Sequence, residues 1–293
     1  MTRLLVLLLL ALSSTSYGFR MLEGEFTANK TCDLWCSFKK HRNTGNHQTA
    51  IGSIYRIMGD NKPGGEWLQI RDKDNSIRWV NKTCGNIKIN KPIPFDYFIL
   101  SISWQPTFCK EQKNKPECQS SNTLFALHGL WPTTDKKPYP AYCQGQIAKP
   151  FGHYTTLPLD QELSKKLSSN MPGTQSYLDR HEWHKHGSCS GMDVKTYYTK
   201  SVNYFQWFSD SPVAKQLKSH KGKIVSSKQV KQWINQWSAS QSISLHCIKQ
   251  NNKTVLKEIR LYLKKELPVS PNSQSFFQYA KRSNCPDSFY LTP

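Results

Sequence analysis

Residues 125–132 read FALHGLWP, an apolar run with one histidine in it that ends in glycine, leucine, tryptophan and proline. Such a short apolar run predicts a buried β-strand, with His128 inside it. A single histidine in a strand of this kind is more often a core residue with satisfied nitrogens than a functional group. A second segment is needed to decide whether His128 has a chemical role.

That second segment is HEWHKHGSC, residues 181–189, with three histidines, a glutamate and a lysine in six positions. At about 100° per residue of a helix, four of these side chains fall within an arc of about 140°: His181, Glu182, Lys185 and His186. Trp183 and His184 fall outside the arc, and Gly187 is expected to end the helix. One face therefore presents two imidazoles, a carboxylate and an ammonium group.

Two other interpretations of the second segment have to be weighed. A zinc-protease pattern, His-Glu-x-x-His, places two histidines one helical turn apart. The residue four positions after His181 is instead Lys185, a cation, and no cysteine or acidic pattern completes a zinc site. We therefore expect no metal and no cofactor here. The remaining alternative is a solvated polar helix end, which is what such charged clusters usually are.

From residue 95 onward the pattern is that of a mixed α+β chain. Apolar runs and alternation predict strands over residues 95–104, 124–131, 242–248 and 255–263, the last two as a pair. Helical spacing predicts helices over residues 160–170, 192–208 and 226–237.

Together the two polar segments resemble the two active-site segments of the ribonuclease T2 family. The first family segment, apolar-x-apolar-His-Gly-Leu-Trp-Pro, is matched by residues 125–132. The second, apolar-x-x-His-Glu-aromatic-x-Lys-His-Gly-x-Cys, is matched at every fixed position by residues 178–189. The resemblance covers about residues 95–293 and includes FDYF, a Trp-x-Pro-x-x-Cys ending at Cys109, and the closing CPDSFYLTP. It implies an α+β fold whose central antiparallel sheet is flanked by helices.

The resemblance also implies an activity, namely cleavage of single-stranded RNA through its own 2′-hydroxyl. This reaction needs a base for the 2′ proton, an acid for the leaving 5′ oxygen, and positive charge for the phosphorane. Imidazoles titrate near neutral pH and can supply both acid and base without a metal. By resemblance His186 is the base and His128 the acid, and they exchange roles when the 2′,3′-cyclic phosphate is hydrolysed to a 3′-phosphate. DNA, which lacks the 2′-hydroxyl, is not expected to be cut.

Further site residues follow from the same resemblance. Lys185 is expected to neutralise phosphorane oxygens, and Glu182 to orient and polarise the imidazoles and the phosphate region. His181 and Trp131 are expected to bind phosphate and substrate, with His181 adding positive charge. His184 occupies a variable position of the family segment and is assigned no catalytic role.

Base preference is where the resemblance gives least. Ser103 stands where many relatives carry a glutamine that contacts the downstream base, and Thr133 stands where some carry an acidic base-reading residue. Both departures leave any nucleotide preference open. Tyr139 and Tyr142 could stack on bases, which is tolerant of sequence, or simply pack.

The chain has nine cysteines, an odd number that leaves one thiol free or paired with another chain. The family resemblance implies three disulfides: Cys109–Cys118, Cys143–Cys189 and Cys247–Cys285. Three cysteines remain, all before residue 95. Cys84 is expected to pair with Cys32 or Cys36, which leaves the third as the odd thiol.

The N-terminus indicates the compartment. Arg3 precedes the apolar run LLVLLLLAL, and Ser16 and Gly18 stand at the spacing of a signal-peptide cleavage site. A membrane anchor would need about 20 apolar residues. We therefore expect residues 1–18 to be a signal peptide, no transmembrane segment, and a protein that is secreted or resides in the lysosomal or endomembrane lumen. N-x-[ST] sequons that could carry glycans stand at Asn29, Asn81 and Asn252.

Residues 19–94 differ in character from the rest. Short strands are predicted over residues 51–59, 66–72 and 76–85, separated by turn signals, which indicates a small β-rich module that resembles an SH3-like barrel. Residues 90–94 have the composition of a linker. Because no candidate catalytic residue lies before residue 95, the module is expected to be separable from catalysis.

The charge of the whole chain leaves room for a rival function. Lys plus Arg number 40 and Asp plus Glu 20, a formal net charge of +20 that favours polyanionic partners such as RNA. A secreted basic RNA-binding protein, toxin or immunomodulator in which cleavage is secondary is therefore the alternative. Intact catalytic positions argue against loss of activity. The oligomeric state stays open.

Overall fold

A computed structural model of the protein describes residues 19–90, 93–119, 123–137, 139–237, 242–271 and 275–293. The expected signal peptide, residues 1–18, lies outside this range. Within the described residues, no helix combines the length and apolar character needed to cross a membrane.

Five strands form the first sheet: β1 (Arg20–Ala28), β2 (Ile54–Asp60), β3 (Trp67–Arg71), β4 (Ile77–Asn81) and β5 (Gly85–Ile89). They pair antiparallel in the order β4-β3-β2-β1-β5. Alternate residues face a small core that includes Phe26, Leu68 and Ile70. Strands β2, β3 and β4 agree with the predictions from alternation, whereas β1 and β5 lie where no strand is predicted.

Six strands form the second sheet: β6 (Tyr97–Trp104), β7 (Phe125–Thr133), β8 (Ile224–Ser226), β9 (Ile243–Gln250), β10 (Lys253–Lys264) and β11 (Ser288–Tyr290). The order is β7-β6-β10-β11-β8, and β9 also pairs with β10. All contacts are antiparallel except the parallel one between β10 and β11. The expected α+β fold with a mainly antiparallel sheet is confirmed.

Six α-helices accompany this sheet: α1 (Gln105–Glu111), α2 (Gln161–Asn170), α3 (Leu178–Lys185), α4 (Val194–Ser209), α5 (Pro212–Ser219) and α6 (Ser227–Asn235). Helices α2, α4 and α6 begin after Asp160, Asp193 and Ser226. Each of these side chains accepts a hydrogen bond from a backbone N–H in the first turn of its helix. Helix α4 packs on β7, where the Tyr197 hydroxyl donates to the Leu130 carbonyl over 2.9 Å. The strand carrying His128 thus rests on a rigid layer.

Four disulfides are present: Cys32–Cys84, Cys109–Cys118, Cys143–Cys189 and Cys247–Cys285. The last three are the bonds that the resemblance implies. Cys36 is the free thiol and is half-buried. The Cys143–Cys189 bond joins the segment after β7 to the turn that follows α3, so it fixes one end of the candidate site.

Candidate active site

His128 lies at a β-bulge in strand β7. Leu127 and Gly129 pair with successive residues of β6, so the intervening His128 has no partner there. A bulge re-aims the side chain of its extra residue and is common beside active sites. Strand β7 is otherwise buried along its length, and its only half-buried side chains are His128 and Trp131. The rings of these two residues are in contact.

A buried carboxylate that sequence reasoning missed holds His128. The Glu258 carboxylate, on β10, contacts the His128 Nδ1 over 2.9 Å and also accepts hydrogen bonds from the Ser101 hydroxyl and, over 2.5 Å, the Arg260 Nε. With these partners the pKa of Glu258 falls to about 2, although burial alone would raise it. Glu258 is therefore ionised. The sequence signal that could have pointed to Glu258 is an acidic and a basic residue, Glu258 and Arg260, two positions apart in an apolar strand.

The pKa of His128 is raised by its carboxylate neighbours. Burial alone would lower this pKa, but the hydrogen bond to Glu258 and the charges of Glu182 and Glu258 outweigh that effect. The Nε2 of His128 lies 3.8 Å from Glu182 Oε1, and the imidazole remains 34% exposed. The raised pKa favours the charged form of His128, and its ring is still partly accessible.

Glu182 lies buried beside His128 and Trp131, with a side chain that is 2% exposed. Its Oε2 accepts a 2.6 Å hydrogen bond from the Trp131 Nε1. Burial raises the pKa of Glu182, while His128, Trp131 and Lys185 oppose that shift. Gly129 makes this contact possible, because a Cβ there would lie 2.1 Å from Glu182 Oε2. The glycine of the FALHGLWP segment is therefore needed for space beside the carboxylate.

Trp131 lies between the two histidines. Its ring centroid is 5.1 Å from that of His128, at 80°, and 5.3 Å from that of His186, at 32°. The Arg260 guanidinium also lies over the Trp131 ring at 5.3 Å. The fold thus brings both histidines to one indole.

His186 caps the C-terminal end of α3, where its N–H donates to the Glu182 carbonyl over 2.9 Å. Burial lowers the pKa of its imidazole well below the ordinary value, and the charges of Lys185, His128 and His181 add to the shift. Its buried Nδ1 has no hydrogen-bond partner within the described part of the chain. All of these causes disfavour the charged form of His186, whereas the carboxylates beside His128 favour its charged form.

His181 differs from the sequence-based expectation of positive charge. Its ring stacks on Phe151 at 4.2 Å and 9°. Burial and the nearby Lys185 lower its pKa to about 4, so it is neutral at mildly acidic pH. A neutral imidazole can bind a phosphate oxygen by donating a hydrogen bond, but it adds no charge. In this segment the positive charge for a phosphate therefore comes from Lys185.

The remaining residues of the segment have structural contacts. His184 Nδ1 contacts the Gln146 side chain over 2.6 Å, and its ring stacks on Tyr154 at 4.6 Å. Trp183 packs against the core beside Tyr197. Gly187 does follow the end of α3, but its φ is not left-handed. A Cβ at this position would lie 2.4 Å from the Trp183 ring, which explains the glycine.

A cavity of about 340 Å³ opens beside His128. Ser103 lines it, together with Gln105, Glu117 and Phe151, so one of the two departures from the family pattern lies next to the candidate acid. Thr133, the other, is buried within β7. Neither tyrosine considered for stacking lines this cavity.

The comparisons with known proteins point to one family. The sequence model described as the Ribonuclease T2 family matches residues 95–278. Ribonuclease I of Escherichia coli (strain K12) is 28% identical over 233 residues, which cover 67% of this chain and 86% of that protein. Ribonuclease 1 of Arabidopsis thaliana is 30% identical over 118 residues, 38% of this chain and only 50% of that protein.

Solved structures show the same fold. The self-incompatibility-associated SF11-RNase of Nicotiana alata aligns with a TM-score of 0.51 at 18% identity, over 68% of this chain and all of that chain. A mutant of RNase MC1 in complex with 5′-GMP aligns with a TM-score of 0.50 at 20% identity, over 67% of this chain and all of that chain. The family match begins at residue 95, after the first sheet.

Proposed function

The chain belongs to the ribonuclease T2 family and is an endoribonuclease, and we propose that it cleaves single-stranded RNA by a metal-independent transphosphorylation. The 2′-oxygen attacks the adjacent phosphorus, the bond from phosphorus to the 5′-oxygen breaks, and a 2′,3′-cyclic phosphate forms. Water then opens the cyclic ester to a 3′-phosphate. The observation that carries this proposal is the opposed pKa shift of His128 and His186 on the two sides of Trp131.

Proton transfer follows from those opposed shifts. Neutral His186 removes the proton of the 2′-hydroxyl, and protonated His128 delivers one to the leaving 5′-oxygen. After this step the proton states are reversed, so His128 can activate the water that opens the cyclic phosphate while His186 protonates the 2′-oxygen. Glu258 and Glu182 stabilise the charged form of His128.

The phosphate is held by groups around the two histidines. The Lys185 ammonium supplies positive charge as the phosphorane oxygens gain charge. His181 donates a hydrogen bond, and Glu182, anchored by the Trp131 indole, orients the groups around the phosphate. The net charge of +20 attracts RNA to the surface.

The rate should follow a bell-shaped pH profile with a broad top. Activity rises as His186 loses its proton, and its lowered pKa places this limb well below pH 6.5. Activity falls as His128 loses its proton, and its raised pKa places that limb above pH 6.5. Turnover should therefore persist from acidic to neutral pH.

Glu258→Gln should move the alkaline limb of this profile to lower pH. The amide oxygen of glutamine can still accept from the His128 Nδ1, but the negative charge that stabilises the imidazolium is lost. We expect a shift on the order of one pH unit, as for the loss of one close charge. The acid limb should stay in place. The exposed Glu266→Gln is the matched control. An unchanged alkaline limb would contradict the role of Glu258.

Cleavage should continue in excess EDTA. Purified protein is incubated with labelled single-stranded RNA across about pH 4–8, where imidazoles titrate, and the product ends are analysed for 2′,3′-cyclic phosphate. In the described residues, His47, Asp72 and Asp74 form the one group of potential metal ligands, and it lies outside the strands of the first sheet. Thermal unfolding with and without EDTA separates any effect of that group from the chemistry. Activity lost in EDTA and restored by zinc would contradict the mechanism, and RNA left intact throughout would favour a binding protein.

We further propose that the chain has a signal peptide over residues 1–18, a β-rich module over residues 19–94 and a catalytic domain over residues 95–293. A secreted or lysosomal destination is supported by the four disulfides, which persist in oxidising compartments. Asn29 and Asn252 are exposed and Asn81 is half-buried, so the first two are the more accessible candidates for glycans.

A further inference from the structure

A buried ionic cluster lies at the end of the first sheet that faces the catalytic domain. Arg20, the first residue of β1, donates from Nε and Nη2 to the Asp60 carboxylate over 3.1 and 2.7 Å. Lys82 donates to the same carboxylate over 3.0 Å, and all three side chains are almost fully buried. With two cations bonded to one carboxylate, the cluster has an excess of positive charge. Arg20 also has N–H groups left to donate to other partners.

The guanidinium of Arg20 also reaches the catalytic domain. Its Nη1 donates to the Ala141 carbonyl over 2.6 Å, and its Nη2 to the Tyr142 carbonyl over 3.1 Å. Only the planar fork of an arginine can serve a carboxylate and two carbonyls in fixed directions. Tyr142 has a φ of 49°, in the left-handed region that is unfavourable for a residue with a side chain. Such a conformation persists only where the surroundings hold it.

Two more contacts attach the same loop, residues 141–148, to the first sheet. The Tyr142 ring lies against Gly64, where a Cβ would be 2.6 Å from the ring. The Ala148 N–H donates to the Gly64 carbonyl over 2.8 Å. Both ends of the loop are thus held by the N-terminal module.

The other side of this loop is bonded to the end of α3. The Tyr142 N–H donates to the Lys185 carbonyl over 2.8 Å, immediately before the candidate base. The Cys143 N–H donates to the Ser188 hydroxyl over 3.1 Å, and Cys143 is joined to Cys189. The loop therefore forms a layer between the Arg20 cluster and the backbone that positions Lys185 and His186.

We propose that the N-terminal module is a brace for the active site and that Arg20 is a positioning residue for His186 and Lys185. The disulfide and two hydrogen bonds attach the end of α3 to the loop, and the two carbonyls that Arg20 binds fix the loop to the N-terminal module. Proton transfer is sensitive to such placement, because a displacement of about 1 Å can cost 10²-fold in rate. This inference rests on the proposed function for its catalytic consequence, and it replaces the expectation that the module is separable.

Arg20→Lys tests the brace, since lysine keeps a positive charge beside Asp60 but cannot bond the two carbonyls together with the carboxylate. We expect kcat to fall by about ten- to a hundredfold, with a smaller change in KM. The acid limb of the pH profile should move to higher pH, because a loosened His186 is better hydrated. Amide exchange at residues 142 and 184–189 should become faster. Arg56→Lys, at an exposed arginine of β2, is the matched control.

A second variant keeps the test decisive if Arg20→Lys does not fold. Tyr142→Ala removes the ring packed on Gly64 without touching the buried charges, and it should raise exchange at residues 184–189 and shift the acid limb in the same direction. The exchange measurement does not depend on RNA cleavage, so it tests the brace even if the wild-type protein cleaves no RNA. Wild-type exchange and a wild-type pH profile in the folded variants would overturn the proposal.

Discussion

Replacing His186 by alanine should lower kcat on single-stranded RNA by about 10²–10⁴-fold, and replacing His128 should have an effect of similar size. Each variant removes one partner of a coupled proton transfer. Burial and Lys185 lower the pKa of His186, whereas the neighbouring carboxylates raise that of His128. Single-turnover kinetics on a short labelled RNA, at the pH optimum of the wild type, measures the chemical step.

The double variant separates a catalytic pair from two independent contributions. Groups that act as one unit are not additive, so losing both imidazoles should cost little more than losing either one. His184→Ala is the control within the same segment, because the His184 side chain contacts Gln146 and Tyr154. It should retain most of the turnover. Full activity of His186→Ala beside an inactive His184→Ala would reverse the assignment.

Removing the 2′-hydroxyl from the substrate should abolish cleavage, the largest effect that we expect. DNA has no 2′-oxygen to attack the phosphorus, and a 2′-O-methyl group leaves no proton for His186 to remove. A DNA strand with one ribonucleotide should therefore be cut only after that nucleotide, and a single 2′-O-methyl substitution there should stop the cut. Gel analysis of end-labelled strands measures both results.

Binding should survive the same substitutions. Contacts between the basic surface and phosphates do not require the 2′-oxygen, so the methylated strand should still bind and should bind more weakly as salt rises. This strand is therefore also a competitive inhibitor of RNA cleavage. Appreciable cutting of all-DNA strands would contradict a mechanism that uses the 2′-hydroxyl as the nucleophile.

The candidate catalytic residues could be proposed from the sequence because their types and order are local. Two short segments hold His128, Trp131, Glu182, Lys185 and His186, and the fold brings the histidines to the same indole. The strands on either side were predictable for a related reason. Apolar runs and alternation report burial directly, residue by residue.

Glu258 could not be assigned in this way. It lies 130 positions from His128 in the sequence, and only the bulge in β7 and the pairing of β10 with β6 bring the two together. Within the strand, an acidic residue near Arg260 has the pattern of an ordinary ion pair. Strand β1 was not predicted because Gly24 and two glutamates weaken its apolar signal. Gly24 lets a neighbouring backbone approach closely, since a Cβ there would lie 2.2 Å from a backbone oxygen.

The sequence by itself predicted the class of reaction and the residues proposed to perform it, because proton transfer to and from RNA requires particular side chains. From the residues alone it did not determine which imidazole is charged, since every histidine has the same intrinsic pKa, and only the family resemblance implied which one is the acid. The tertiary structure decided that by placing Glu258 and Glu182 beside His128 and by burying His186 near Lys185. It likewise made His181 neutral and set residues 141–148 between Arg20 and the end of α3. Electrostatic environment and long-range contacts depend on groups that are distant in the chain, so they exist only once the chain is folded.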